Sequence, residues 1–522
     1  MSLRYAVLTL LVVSVPTSAQ IVVNSTADVA ADDGQCTLRE AITAASDDAA
    51  SGASAGECAA GDGEDLVQIG IAPGSSITLT ADLPRAWETW TLEGPTGSAD
   101  GVTIDGGGQF RIFELDSNNL QQTHTLRGLT VTGGLANAGG GILVGFQDNC
   151  VFEDIAVVSN VSTNGAGGIY TGREGNCSMN RVYVADNEAQ GASGAGGIRI
   201  SGGGDFVIRN STIANNRATA TGSGGILVGF FSPPEGTFLL EQSTVSGNTA
   251  AGSGGGVSEI GANGTTTIRA STIVDNHITG TSGAGGGLSM NWAVVLESTV
   301  IAGNTAERGS GEWDDISLGN NNTTSNGGNI IGINGFFSRE FPVGTPNANG
   351  DFVGEEAGPL DPRLEPLAQN GGPYATHLPM ANSLVIDAGV CPGSPADQRG
   401  SIREIDDPSF INFNGDACDS GAVEGRTFVV DTERAPIAGV TLSAPAPNPS
   451  RGTARLGYAL DAPGAVRLSV LDVRGREVAV LAEGLRQAGN HEAALPSLAP
   501  GVYLVRLGTE AGVVSRRVTV VR

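Results

Sequence analysis

The sequence predicts an all-β fold, a right-handed parallel β-helix (a solenoid) followed by a small antiparallel Ig-like β-sandwich. Three observations predict it. A Gly-Gly-apolar phrase recurs with its apolar residue at Ile142, Ile169, Ile198, Ile226, Val257 and Leu288, in steps of 27, 29, 28, 31 and 31. A fixed period of that size marks a solenoid, whose single repeat cannot bury its apolar face alone. Each period holds three short apolar runs with too little chain between them for a helix, so the sheets are parallel with one strand per turn. Past residue 440 the pattern becomes strict alternation, as in Val466-Arg467-Leu468-Ser469-Val470 and Val502-Tyr503-Leu504-Val505-Arg506-Leu507. Turns at Arg474-Gly475-Arg476 and Ala499-Pro500-Gly501 divide those strands, as in antiparallel sandwiches.

The elements follow in order. Residues 1–19 read as an export signal: Arg4, then the apolar run Ala6 to Val15, then small residues ending at Ala19, with cleavage between Ala19 and Gln20. The run is too short to span a bilayer, and no later stretch reaches 18 apolar residues. The expectation is a mature protein with no transmembrane segment. Residues 20–95 form an N-terminal cap. In it Thr37 and Glu40 have capping-box spacing ahead of a short helix that covers the open end of the solenoid. Residues 96–345 are the repeats.

After the third strand of each repeat stands an Asn: Asn160, Asn187, Asn216, Asn248 and Asn276, with Asn304 one residue out of register. A row of ligand groups is one reading. A structural ladder is favoured, because stacked Asn side chains bond to one another and tolerate left-handed backbone. Residues 346–425 lose the period, 426–440 form a linker, and 441–522 are the sandwich. The six Cys suit an exported chain with three local disulfides, Cys36–Cys58, Cys150–Cys177 and Cys391–Cys418. Cys150 and Cys177 are one turn apart, so their strands are neighbours about 4.8 Å apart, within disulfide reach.

Three segments resemble known families. Cys36-Thr37-Leu38-Arg39-Glu40-Ala41-Ile42 is similar to the CSLREAI motif of bacterial surface β-helix proteins. Residues 346–425, with Pro366 to Pro373, Ser383 to Gly389, Asp397-Gln398-Arg399-Gly400 and Cys418 to Glu424, resemble the choice-of-anchor domain that ends many such proteins. Residues 441–522, with Pro447-Asn448-Pro449 and Leu498 to Leu507, resemble the C-terminal sorting domain of type IX secretion. That resemblance implies the type IX machinery as a partner and passage via the periplasm across the outer membrane. It also implies removal of the domain, followed by release or attachment at the cell surface.

The net charge of −27 excludes nucleic acid as a partner. No metal or cofactor is expected beyond loosely held Ca²⁺, for which Asp186 and Asp275, each just before a ladder Asn, are the candidates. The fold permits polysaccharide lyases and hydrolases. Yet Gly-His-Gly is absent and Arg-x-Lys is impossible, since all 28 basic residues are Arg. The remaining catalytic candidates are Asp314, Asp315 and His277, with Asp275, Trp292 and Trp313 nearby, a carboxylate pair beside a Trp platform. Asp387, Asp397, Arg399 and Asp419 read as an ion-paired structural cluster rather than a catalytic set. The reading is an adhesin-like or glycan-binding protein, secreted or on the outer cell surface. A β-helix polysaccharide-degrading enzyme and a structural surface-layer component are the alternatives.

Overall fold

The computed structural model describes residues 20–521 apart from 96–100, 193, 231–235, 253, 262–263, 282, 284, 308–314, 320–322, 336, 392, 404, 406–416, 426–439, 444, 451–453, 472–476 and 510–511. The expected signal, including Ala19, lies outside the described residues. The chain divides into two compact units, residues 1–425 and 426–522.

The first unit opens with strand Gln20–Val23, which pairs in parallel with Glu64–Ile69. Helix Leu38–Asp47 starts on Thr37, whose hydroxyl accepts from the Glu40 amide while the Glu40 carboxylate accepts from the Thr37 amide. One face of the helix buries Leu38, Ala41, Ile42, Ala44 and Ala45 over the first turn. Arg39 grips Asp28 with Nε and Nη2 at 2.9 and 2.8 Å, which ties the helix to the strand-leading loop. The Cys36–Cys58 disulfide closes the cap.

The solenoid then winds right-handed with all its strands parallel. Its strands form an 8-stranded sheet from Phe113–Leu115 to Ile316–Leu318, a 7-stranded corner sheet, and a 20-stranded sheet. Period-2 alternation sends every second side chain inward. Phe113, Ile142, Ile169, Ile198, Ile226, Val257, Leu288 and Ile316 therefore stack as one column, each at most 1% exposed. Full burial of one such side chain contributes roughly 1.5–3 kcal/mol. A slip of one residue would turn the column to water.

Two rows of left-handed residues bend the chain at the corners. One holds Asp154, Arg181, Asn210, Gln242, Ala270 and Ser298, and it folds the 20-stranded sheet into two faces. The other holds Ser159, Asp186, Asn215, Gly247, Asp275 and Gly303, each immediately before a ladder Asn. On the first face of the large sheet, charges alternate by turn. Arg127 meets Glu153 at 2.8 Å, and Glu241 lies between Arg209 and Arg269 at 2.5 and 2.6 Å. Each exposed pair adds little stability, but the alternation opposes mispaired register.

Inside the second corner, each Asn donates its Nδ2 to the Oδ1 of the next turn's Asn at 2.9–3.0 Å, from Asn160 through Asn187, Asn216, Asn248 and Asn276 to Asn304. The same Oδ1 atoms accept from the backbone amide of the preceding Asn. Asn304 thus stands in register, contrary to the expectation, because strands Thr272–Val274 and Val300–Ala302 pair without a shift. The row begins on the Gly134 amide and ends on Asp315, whose Oδ1 accepts from Asn304 at 2.9 Å. A parallel line at the other corner runs through Ser211, Ser243 and Ser271, and beyond it the Thr299 amide donates to Asn329, which donates to buried Asp351. Both lines send donors toward the C-terminal end, so an acceptor-only carboxylate closes each of them.

Residues 360–425 do not prolong the solenoid. They form a strap that runs back along the second face of the large sheet and returns. Tyr374 stacks on Tyr183 at 5.4 Å and donates to the Ile155 carbonyl at 3.2 Å. Gln398 bonds Thr212 and Thr244 at 2.7 and 2.6 Å, His377 bonds Ser246 at 2.8 Å, and Ala422 bonds Thr272 at 3.0 Å. The short polar and small side chains of that face let the strap approach. A satellite core of Val274, Val300, Ala302, Ile330, Phe352, Val385 and Ala388 fills the contact. Cys391–Cys418 closes the returning limb of the strap.

The second unit packs a 3-stranded antiparallel sheet (Val440–Leu442, Arg455–Leu460, Gly489–Ala494) on a 4-stranded one (Glu477–Arg486, Gly464–Leu471, Gly501–Thr509, Gly512–Val520). Leu456, Tyr458, Leu468, Val470, Val505, Leu507 and Val518 form its core.

Candidate functional site

Three successive turns of the solenoid present one large apolar side chain each at the same corner. A bridge sets Ala86 beside Leu115, and Leu115 pairs with Val144, so the segments that follow these residues lie in neighbouring turns. Those segments carry Trp87, Leu120 and Phe146, which are 44%, 67% and 40% exposed. Adjacent turns are about 4.8 Å apart. Large apolar side chains exposed on neighbouring turns suit a binding surface.

The patch is held in shape from beneath. Buried Asp148 accepts from the Ser117 amide at 2.7 Å, from the Ser117 hydroxyl, and from the Gln122 amide at 3.0 Å. These bonds pin both ends of the loop that lifts Leu120 outward. Asn118, Asn119 and Gln121 are left-handed there, residue types that tolerate that backbone better than branched ones. At Gly145 a Cβ would fall 2.6 Å from the Asp116 carboxylate, so only glycine admits the turn that carries Phe146. Arg85 lies 4.5 Å over the Trp87 ring and 2.8 Å from Asp116, so the indole has a cation on one face that a carboxylate holds in place. Gln147 reaches Glu174 at 2.9 Å in the next turn.

Rings rimmed by carboxylate, amide and guanidinium groups suit a sugar, which has an apolar C–H face and a hydroxyl edge. His124, the nearby histidine, points into the core, and burial pulls its pKa down to about 4, opposed in part by Asp148 and Asp116. It is neutral at ordinary pH and has no route to a surface substrate.

Asp314 and Trp313 lie outside the described residues. Asp315 is 1% exposed; its Oδ1 terminates the Asn ladder and its Oδ2 accepts from the Ile333 amide at 2.8 Å. A carboxylate so buried and bonded serves here as the terminus of the ladder. His277 faces outward in the corner sheet, with Nδ1 2.7 Å from the Thr305 hydroxyl and Nε2 3.6 Å from Glu307. It therefore lies on the opposite side of the wall from Asp315. Asp186 and Asp275 occupy the left-handed corner row.

In the strap, Asp397 pairs with Arg399 at 2.7 Å and Glu424 with Arg403 at 3.7 Å, all four side chains at most 3% exposed. Asp419 accepts from the Asp387 amide. Burial lifts Glu424 and Asp419 well above the usual carboxylate range. No surface substrate reaches this cluster. The corner patch escaped sequence reading because Trp87, Leu120 and Phe146 differ in type and in offset from their strands. The available signal was a large apolar residue just past the end of a strand, as at Phe146 after Val144.

Residues 100–306 match the family model of the right handed beta helix region, and residues 446–521 match that of the secretion system C-terminal sorting domain. No curated protein matches the chain. The solved structure of the enzymatically active domain of bacteriophage CBA120 tailspike protein 4 is similar at 12% identity and a TM-score of 0.21, over 87% of this chain and 64% of that one. The chain thus spans less than two thirds of that domain, and at this TM-score the likeness carries no argument. With the solenoid geometry, these findings define an exported right-handed β-helix protein. It carries a type IX sorting domain, which engages the secretion machinery and delivers the chain to the cell surface or the medium. Among the described residues no helix is long and apolar enough to cross a membrane.

Proposed function

We propose that this chain is an adhesin-like glycan-binding protein whose binding surface is the Trp87–Leu120–Phe146 corner. In this reading the N-terminal cap and the strap are the CSLREAI-type and choice-of-anchor elements, which close and brace the scaffold. The observation that carries the proposal is the row of three exposed apolar side chains on adjacent turns, held by buried Asp148 and bordered by Asp116 and Arg85. A solenoid edge gathers several weak contacts along one extended chain, and such contacts add up.

The test is affinity electrophoresis of the full chain in gels of neutral and acidic polysaccharides, with new reducing ends measured in parallel. Retardation by at least one polysaccharide without new chain ends is expected. Trp87→Ala with Phe146→Ala should weaken binding about 10-fold or more, which corresponds to about 1.4 kcal/mol. Retardation unchanged in the double variant would remove the corner from the reading, and release of chain ends would replace binding by catalysis.

A further inference from the structure

We infer that the sorting domain docks on the secretion machinery through its edge strand Glu477–Arg486, to which an acidic protein of that machinery adds a strand of its own. This surface is independent of the glycan reading.

The two sheets of the second unit have four edge strands, and an open edge invites pairing with another chain. Three of them are blunted. Val440–Leu442 is three residues long. Gly489–Ala494 carries exposed Asn490 and Glu492. The outer edge of Gly512–Val520 is taken: the Thr519 amide donates to Asn448 Oδ1 at 2.8 Å, and the Thr519 carbonyl accepts from the Ser450 amide at 2.7 Å. Asn448 Nδ2 also donates to the Arg517 carbonyl at 3.1 Å.

Glu477–Arg486 differs in each respect. It is 10 residues long and, among the described residues, pairs with Gly464–Leu471 alone. Val478, Val480 and Leu485 face outward, 37%, 43% and 70% exposed, while Ala479, Leu481 and Ala482 pack on the core. Glu483, also exposed, is paired with Arg467 on the neighbouring strand. The space beside the strand is open, since a Cβ on Gly484 would meet no atom within 4 Å. Apolar side chains beside an unpaired backbone edge are what strand addition uses: main-chain bonds supply affinity, and the side chains fill pockets that supply specificity.

Two features choose the occupant. The register slips at Val478 and at Leu481, two bulges that coil the strand. A coiled edge is a poor template for a second copy of itself and suits a partner shaped to the same twist. The other feature is charge. Residues 426–522 hold 12 Arg against 8 acidic residues, a net +4, whereas residues 1–425 stand at −31. An acidic partner is attracted to the sorting domain and repelled by the rest of the chain, which confines recognition to one end. That end is the part of the chain that engages the secretion machinery.

The test follows export of the full chain in the cell that makes it, by immunoblot of the periplasm against the cell surface and medium. Exposed positions such as Leu485 tolerate replacement, and the unfolding temperature of each purified variant checks that the fold is kept. Val480→Glu with Leu485→Glu should lower the exported fraction about 10-fold or more, with the chain retained in the periplasm. Leu485→Arg should be exported better than Leu485→Glu, because its charge suits an acidic partner. Val502→Glu, at a valine 42% exposed on a middle strand of the same sheet, should be exported normally. Normal export of the double variant would overturn the docking strand, and so would an equal loss in Val502→Glu. Equal export of Leu485→Arg and Leu485→Glu would overturn the acidic partner. A chain that sediments as a dimer, and as a monomer once Val480 and Leu485 are replaced, would assign the edge to a second copy instead.

Discussion

Asn216→Ala is expected to destabilise the solenoid by about 4 kcal/mol, read as a drop in the denaturant midpoint of its unfolding. The side chain is fully buried in mid-ladder. Its Oδ1 accepts from the amide and Nδ2 of Asn187 at 3.1 and 2.9 Å, and its Nδ2 donates to the Val184 carbonyl and to Asn248 Oδ1, both at 2.9 Å. Alanine leaves these partners without replacement and without room for water, at about 1–3 kcal/mol for each group that stays unsatisfied. Asn216→Asp should also be damaging, because it keeps the acceptor but turns an oxygen toward Asn248 Oδ1. At the end of the same row the preference inverts. Asp315→Asn would turn an amide nitrogen toward the Ile333 N–H, which now donates to Asp315 Oδ2. A loss for Asn216→Ala no greater than for an exposed Thr→Ala change would show that the ladder does not hold the turns together.

Glu259→Met is expected to stabilise the protein, and more so as pH rises. Strand register places Glu259 inward beside Val228, in the column that Met290 continues. It is 1% exposed, and neither carboxylate oxygen has a hydrogen-bond partner. Burial lifts its pKa from 4.5 to about 7, and the nearby Trp292 amide offsets this only in part. The sign follows from linkage. Below about 4.5 the group is protonated in both folded and unfolded chains, and its ionisation costs the fold nothing. Between about 4.5 and 7 the unfolded chain ionises while the folded one does not, so stability falls as pH rises. Above 7 the loss levels off at about 3 kcal/mol. Unfolding curves of the two proteins should therefore nearly coincide, apart from the packing change, at pH 4.5 and diverge in favour of the variant by pH 8. A constant difference across that range would mean that Glu259 titrates normally.

The repeat made much of this molecule legible from its residues. The column Ile142, Ile169 and Ile198 and the Asn row recur at one period, and recurrence is visible without coordinates. Glu259 was legible in principle, since it stands at the inward position of the strand that Val257 opens. Singular residues were not. Asp315 ends the ladder only 11 residues after Asn304, from the position before strand Ile316–Leu318 that Gly287 holds in the preceding turn. It looked like half of a carboxylate pair for that reason. The strap was recognisable as a change of composition, but its contacts are set by the tertiary fold, such as Gln398 with Thr212 or Tyr374 with Ile155, 186 and 219 residues apart in sequence. The corner patch was hidden because loops carry no period.

The strap has a consequence for how this molecule can vary. It touches the solenoid at fixed stations: Tyr374 at Ile155 and Tyr183, Gln398 at Thr212 and Thr244, and Gly421 at Ser298, whose carbonyl accepts from its amide at 2.6 Å. It therefore works as a ruler laid against the later turns. A whole turn gained or lost between Tyr183 and Ser298 would move one station past its mark by a strand spacing of about 4.8 Å. The turns before Ile155 carry no such gauge, and there the ends are free to lengthen, shorten or change their corner loops. Trp87, Leu120 and Phe146 all stand in that ungauged stretch. The part of the protein open to diversification is thus the part that meets the outside, while the measured part keeps its length.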